Sequence, residues 1–554
     1  MGDVSDAREA ISIADLYELG WIETPSYSPD GRWIAYVRVT VDKVANRYRR
    51  AIWLQATQGG AARRLTTGGN DSEPCWNNDS SMLAFVSDRA DKPQIYTIRI
   101  DGGEARRLTN CANGAHSPAW SPDGRRIALL ASVNAEERAL EDAEGPPPPA
   151  TTWEQEQAAA QRRHDEEQRQ DPRVITRMPY RSGTAFFDDR RSQVYVIDVP
   201  ADDESEPGAA RRLTDEDLHF SAPAWMPDGL AVLSTATRDF EADSLFAYYD
   251  IVRVPAPESG REPVVRLTSQ GYSCFDPRPS PDGRWIAFLH RDERQPLALG
   301  TRIAVFDAAG GPWHDLTFAA DLNVEEYRWA PESDALLFTA GWQGEAPVYR
   351  VALAGDDGPH TGEQGGVAED TQIDLRIVAA SVAPLWPAQG QIVDAFDVGP
   401  DGSIVCVAGT AANPCEVYLW QPGGDMRQLT TISERVLRKR VVAAIEELRY
   451  PARDNAEVQG WVVYPPGFDA SRRYPLAVHI HGGPHVMWGP GFRSMWHEFQ
   501  VFAAQGYVTF YCNPRGSEGY GRRWRDAIHG AWGSAALDIQ AGIDAVIARG
   551  GIDE

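Results

Sequence analysis

One phrase, written seven times, constrains this chain more than any other feature. "YSPDGRWIAYV" at Tyr27–Val37 returns as "WSPDGRRIALL" at Trp120–Leu130 and "PSPDGRWIAFL" at Pro279–Leu289. Weaker copies are "WNNDSSMLAFV" from Trp76, "WMPDGLAVLS" from Trp225, "WAPESDALLF" from Trp329 and "VGPDGSIVCV" from Val398. A second phrase follows most of them: "RRLT" ending at Thr66, Thr109 and Thr214, "VRLT" at Thr268, "HDLT" at Thr317 and "RQLT" at Thr430.

The physics of each unit is simple. In Ser-Pro-Asp-Gly, proline fixes φ at the second position of a type I turn, aspartate suits the third, and glycine accommodates the exit. The apolar residues that follow read as a strand covered on both faces. Turn prolines or their equivalents recur mostly every 44 to 54 residues, the length of a four-stranded propeller blade. A solenoid would share such a period, but short antiparallel strands favour radial closure. The expectation for 21–430 is therefore a seven-bladed β-propeller. Before it, residues 1–20 contain a capped helix start at Ser12–Asp15, expected to pack on the domain that follows the propeller.

One interval breaks the rhythm, with 105 residues from Pro122 to Pro227. The excess is a polar insertion at about 133–172. Thr152-x-x-Gln155 reads as a capping box before a glutamine-rich helix, and four consecutive prolines as a stiff spacer. The insertion is expected to be a solvated excursion, with a lid or an oligomerisation arm as the alternative.

After Thr430 the grammar changes. "EELRYPARD" and "VQGWVVYPP" read as paired strands, while Tyr474–His481 and "YVTFYCNP" are continuous apolar strands. Between and after them lie amphipathic helices. One carries Met495, Phe499, Phe502 and Ala503 on a face and ends at Gly506. The other starts at an expected N-cap, Ser534, and carries Ile539, Ile543, Val546 and Ile547. Buried strands alternating with helices predict a parallel α/β sheet over 431–554.

The stretch "AVHIHGGPHVMWGP", Ala477 to Pro490, falls at the C-terminal end of one of these strands, where open α/β sheets place ligand sites. With no side chain on Gly482 or Gly483, the backbone can approach a ligand and present N–H groups to a forming oxyanion, as in the glycine-rich loops of α/β-hydrolases. A turn whose glycines only relieve strain is the plain alternative. A zinc site built on His479, His481 and His485 is another, but the acidic ligand that accompanies such a motif is absent.

Bulk properties exclude several classes. A net charge of −26 argues against binding nucleic acid or anionic membrane. The six cysteines are scattered without C-x-x-C spacing, which favours a reduced, cytoplasmic setting. The N-terminus lacks the charge and apolar pattern of a signal peptide, and no run is long enough to span a bilayer.

The ordered set of motifs resembles the prolyl oligopeptidase family of serine peptidases, nearest the acylaminoacyl-peptidase and bacterial dipeptidyl-peptidase-like branch. The motifs are the "SPDGRWIA" phrases, "DPRVITRMPYRSG" at Asp171–Gly183, "HIHGGPH" and "NPRGSEGYG" at Asn513–Gly521. The resemblance implies a propeller capping an α/β-hydrolase domain that acts on short peptides through an acyl-enzyme, with no cofactor and no metal. It makes the Gly483 N–H an oxyanion donor, gives His481 the role of holding the loop with Gly482 and Pro484, and places Arg515 and Tyr520 in the active-site wall. For Arg515 a structural ion pair and a substrate contact stay equally open.

The same resemblance requires a nucleophile in a G-x-S-x-G elbow, and no serine of this chain sits in that pattern. Ser517, in "RGSEG", has the wrong spacing. In this family's chain order the acid and base follow the nucleophile, so none of the triad is expected here. The 554 residues are expected to be the N-terminal portion of a longer enzyme, inactive alone, with the first half of the hydrolase domain and a possible homo-oligomer as its assembled form. A non-catalytic binding propeller is the remaining alternative. Within the peptidase reading, dipeptidyl specificity would need a pair of glutamates for the substrate amine. The pairs Glu325–Glu326 and Glu446–Glu447 sit in no matching motif and read as exposed strand-end charges.

Overall fold

A computed structural model describes residues 8–143, 180–200 except 183 and 187, 208–238, 248–268, 271–292, 300–353 and 382–553 except 388, with a few positions in 152–160. The Thr152-x-x-Gln155 capping box, the proline run and most of the 171–183 motif lie outside the described residues.

Seven four-stranded antiparallel sheets occupy 21–64, 71–107, 116–212, 220–266, 272–315, 324–384 and 392–428. Six are built from strands consecutive in sequence, and the third is interrupted only by a small separate hairpin at Arg181–Ser182 and Ala185–Phe186, so they form seven blades with no strand exchanged between them. The continuous apolar runs follow from this geometry. In Met82–Ser87, Leu83 and Phe85 pack towards blade 1 and Ala84 and Val86 towards blade 3, because successive side chains leave opposite faces of a strand. Seven buried clusters, one for each junction between neighbouring blades, close the ring.

The two repeated phrases acquire specific roles. The turn serine locks its own hairpin: Ser28 Oγ donates to Asp30 Oδ1 at 2.6 Å and accepts from Trp33 N at 2.9 Å, and Ser121 and Ser280 repeat this. The aromatic residue before that turn staples neighbours, since the Trp76, Trp120, Trp225 and Trp329 indoles each donate to a carbonyl of the preceding blade. In blade 1 the same position is Tyr27, which closes the ring on blade 7 through Ser403 Oγ at 3.0 Å and through its own N–H to Asp397. The Leu-Thr threonines accept a third-strand N–H inside six of the blades, as from Ile52 to Thr66 and from Val417 to Thr430. The arginines before them reach carbonyls of the next blade, as from Arg211 to Pro257 and from Arg427 to Thr57.

The polar insertion begins in a helix, Ala135–Asp142, which the sequence reading did not place. Asn134 and Glu137 form its capping box, and Arg212 ties Glu141 and Asp142 to blade 3.

The second domain is a four-stranded sheet. In chain order its elements are β1 (Ile445–Pro451), β2 (Glu457–Val463), β3 (Leu476–His479), α1 (Arg493–Ala504), β4 (Val508–Asn513), α2 (Arg522–Asp526) and α3 (Gly533–Ala548). The spatial order is β1-β2-β4-β3. Only β3 and β4 run parallel, while β1–β2 and β2–β4 are antiparallel. This corrects the expected all-parallel sheet: a hairpin, needing no crossover helix, opens the domain. Just before β3, Tyr474 bridges to Ile552 in parallel.

Two helix details also differ from expectation. Helix α1 is buried on more than one side, with Trp496, Phe499, Val501 and Ala503 covered and Phe502 partly exposed. It lies between the sheet and the N-terminal segment, whose Ile11 and Leu19 join Trp496 and Val501 in one cluster. Helix α3 starts at Gly533 after Trp532, so Ser534 lies inside its first turn and donates to Ala531 O instead of capping. The N-terminal segment forms a short 3-10 helix, Ile13–Tyr17, with the Ser12–Asp15 capping box intact. Arg440 anchors it through Asp15.

Candidate active site

The glycine loop leaves β3 at the sheet's C-terminal end. Gly483 has φ 120°, and a side chain there would meet the Val486 side chain, so the backbone requires glycine. The following Gly483–Pro484 bond is cis. The N–H groups of Gly482 and Gly483 make no hydrogen bond among the described residues, and both glycines are exposed. Two free, solvent-facing donors on a fixed loop can stabilise an oxyanion.

The loop is held at both ends by the 513–521 segment. His481 Nε2 lies 3.1 Å from Ser517 Oγ, and its imidazole packs edge-on against Trp488. Burial keeps the His481 pKa below its ordinary value, which favours the neutral ring. His485 Nδ1 is 2.6 Å from Gly516 O, and His485 O accepts from Glu518 N at 3.2 Å. Asn513 bonds both main-chain groups of Trp488. Ser517 is buried and donates to Pro514 O at 2.7 Å, the placement of a loop-fixing hydroxyl.

The three histidines do not converge. His479 packs its ring against Phe499 and Phe502, and the other two face separate partners. Among the described residues no group of three histidine, cysteine, aspartate or glutamate side chains could hold a metal ion.

Two wall residues turn inward. Arg515 donates from its backbone N and from Nε to Asp538 Oδ2 at 3.0 and 2.9 Å, and from Nη2 to Oδ1. Its remaining nitrogen reaches Asp454. Asp538 is fully buried, so Arg515 serves as its counter-charge and joins the loop to α3. Tyr520 gives its hydroxyl proton to Gln459 Oε1 and accepts from Asn513.

Below the loop lies a feature that sequence reading did not find. Asn323 Nδ2 donates to Glu518 Oε2 at 2.7 Å across the domain boundary. Burial, then the charges of Glu518, Asp394 and Glu326, push the Glu325 pKa to about 7. Burial pushes Glu518 to about 7 as well, against the opposing pull of Arg525, Asn323 and Arg291. Asp394, facing Arg493, rises to about 6, chiefly through burial. Glu325 is exposed to solvent, yet the protein around it still raises its carboxyl. Glu326 instead accepts from Phe396 N in blade 7 and pairs with Arg328. Glu325 is exposed as expected, whereas Glu326 is half-buried and bonded to blade 7, so the expectation of exposed strand-end charges is corrected for Glu326 alone. Glu446 and Glu447 are exposed, paired with Arg549 and Arg449.

Comparison with known proteins bears on the affiliation. Residues 7–145 match the TolB beta propeller domain, and residues 492–554 match the prolyl oligopeptidase family. Over its C-terminal part the chain resembles the prolyl oligopeptidase family. It is 29% identical over 546 residues to the uncharacterized peptidase YuxL of Bacillus subtilis (strain 168), covering 98% of this chain and 76% of that protein. It is 23% identical over 530 residues to dipeptidyl-peptidase 5 of Porphyromonas gingivalis, covering 93% and 69%. Among solved structures, acylaminoacyl peptidase of Pyrococcus horikoshii superposes with a TM-score of 0.72 at 20% identity, covering 98% of this chain and 73% of that one. That likeness bears on the fold: a propeller with an α/β-hydrolase domain. Both sequence relatives carry peptidase names. Among its described residues no helix is long and apolar enough to cross a membrane.

Proposed function

We propose that this chain builds the oxyanion side of a serine-type peptidase that cleaves short peptides through an acyl-enzyme, with the propeller limiting access. The observation that carries this is the Gly482–Gly483 pair, with unpaired N–H groups on a loop clamped at both ends. As a serine attacks the scissile carbonyl, negative charge grows on its oxygen. Gly483 N–H donates to that oxygen, and the gain is largest where charge has developed most.

The 554 residues contain no G-x-S-x-G elbow, so in this proposal the nucleophile, acid and base come from further chain. The free edge of β3 is where such a strand would seat, and the parallel Tyr474–Ile552 bridge gives the direction it would run. All six cysteines are free thiols, in keeping with a reducing, cytoplasmic setting.

Glu325 favours a second specificity within the same chemistry. An unpaired carboxylate beside Glu518 suits a cationic group, so a substrate with a free amino terminus would sit there and the enzyme would release dipeptides. Rates on acetyl-amino-acid and free-amine dipeptide chromogenic substrates separate the two readings. The serine mechanism is tested by fluorophosphonate labelling with intact mass. The protein extended by its following sequence takes one label and the 554-residue chain takes none. A labelled 554-residue chain overturns the proposal.

A further inference from the structure

We infer that Asn513 is the positioning residue of the oxyanion loop, its orientation reinforced by a polar chain that begins at Glu447. Asn513 ends β4 and is fully buried. Its Oδ1 accepts from Trp488 N at 2.9 Å, and its Nδ2 donates to Trp488 O at 2.7 Å and to Tyr520 OH at 2.9 Å. A side-chain amide paired to both groups of one residue copies a β-bridge, and it fixes Trp488 in position and in rotation. From Trp488 the chain runs back five residues to Gly483, whose other flank is fixed by His481 on Ser517.

The direction of each bond in the polar chain follows from chemistry. Ionised Glu447 can only accept, so Gln459 turns its Nε2 to Glu447 Oε1, at 2.9 Å. That leaves Gln459 Oε1 for the Tyr520 hydroxyl proton, at 2.6 Å. The Tyr520 oxygen is then an acceptor, and only Asn513 Nδ2 can satisfy it. With Nδ2 so placed, Oδ1 faces the Trp488 N–H. An exposed carboxylate thus reinforces, through two amides and a phenol, the amide orientation that the Trp488 main chain also requires.

Asn513→Asp tests this with an isosteric change. The aspartate can still accept from Trp488 N, but its second oxygen faces Trp488 O and Tyr520 with no proton to give. In the 554-residue chain, hydrogen exchange of the Trp488 N–H, which Asn513 holds, is expected to rise at least ~10-fold, a loosening of the kind local opening produces, while α1 exchanges as in the wild type. Unchanged exchange at the Trp488 N–H overturns the inference whether or not the protein is active.

A catalytic readout rests on the peptidase reading and uses the protein with its following sequence. There kcat falls by roughly 10- to 100-fold, below the ~10²–10³ of deleting an oxyanion donor outright, with KM within about threefold. Affinity for a peptide boronic acid falls by the same factor as kcat, and affinity for the product peptide does not change. Tyr520→Phe removes one bond only and gives a smaller loss of the same kind, which covers the case of an Asn513→Asp protein that fails to fold. An active wild type with an unimpaired Asn513→Asp variant sinks this inference alone. A wild type that neither hydrolyses peptides nor takes the fluorophosphonate label sinks the peptidase reading, leaving the exchange measurement to decide the clamp.

Discussion

Asn323 of the propeller donates to Glu518 of the 513–521 loop at 2.7 Å, and Glu325, two residues along, is raised in part by the same carboxylate and makes no hydrogen bond of its own among the described residues. After burial, the Glu518 charge is the next cause that raises Glu325, and among the described residues only Glu518 of the two has a donor.

That arrangement makes stability depend on pH in a defined direction. Both carboxyls bind protons more tightly in the folded protein than at their ordinary value of 4.5. At pH below about 4.5 both are neutral in either state and impose no penalty. As pH rises from there to about 7, the unfolded chain loses its protons first and stability falls. Glu518→Gln keeps an acceptor for Asn323 and removes a charge. Its unfolding free energy should exceed that of the wild type at pH 8, on the order of 1 kcal/mol after solvent screening, and match it at pH 4. Urea titrations at both pH values measure this, and an equal difference at both would count against the shared-charge picture.

The propeller ring predicts a cost for each indole staple. Trp225 Nε1 donates to Ala119 O at 2.9 Å and its ring lies under the Arg126 guanidinium. Trp225→Phe preserves most of the apolar contact but strands the carbonyl, which costs about 1–2 kcal/mol. Denaturant unfolding should show that loss with an unchanged m-value. Trp532, which is 64% exposed, serves as the control, with a change within about 0.5 kcal/mol for Trp532→Phe.

The blades were legible because each is a local event. A turn of four residues and the strand after it lie within a dozen positions, so "SPDG" followed by an apolar run announces its own hairpin. The serine's bond to aspartate and the Leu-Thr contact to the third strand are written in the same phrases, yet their partners become visible only in three dimensions. The loop at Gly483 was legible for the same local reason: glycine after an apolar strand. Glu325 was not, because its neighbour Glu518 is far away in sequence and belongs to another domain. Nor was the inward turn of Arg515, since Asp538 looks in sequence like one more polar position on α3. Residues named for the wall by resemblance proved to be its internal bracing.

That bracing gives a prediction for Arg515. Asp538 has no exposure, and Arg515 supplies three of its hydrogen bonds. Arg515→Met leaves a buried carboxylate without its cation and should destabilise the domain by about 3–5 kcal/mol. Arg515→Lys keeps the charge and loses the bidentate fork, so it should fall between the two. Thermal unfolding of the three proteins orders them. If Arg515 mainly touched substrate, all three would melt together and differ only in KM.

The last prediction concerns Gly483 itself. Its φ of 120° disfavours any side chain, and a methyl group would press on Val486. Both are exposed to solvent on a loop whose two ends are fixed elsewhere, so Gly483→Ala can be accommodated by a local shift, at about 1–3 kcal/mol. That shift moves the one group the chemistry needs. In the protein with its following sequence, kcat should drop by ~10²–10³ while KM changes little, since the donor acts on charge present only near the transition state. The fluorophosphonate adduct should form more slowly by a similar factor, because its phosphoryl oxygen occupies the same place. A Gly483→Ala enzyme with normal kcat would mean that the oxyanion is held by other donors and that the loop only shapes the wall.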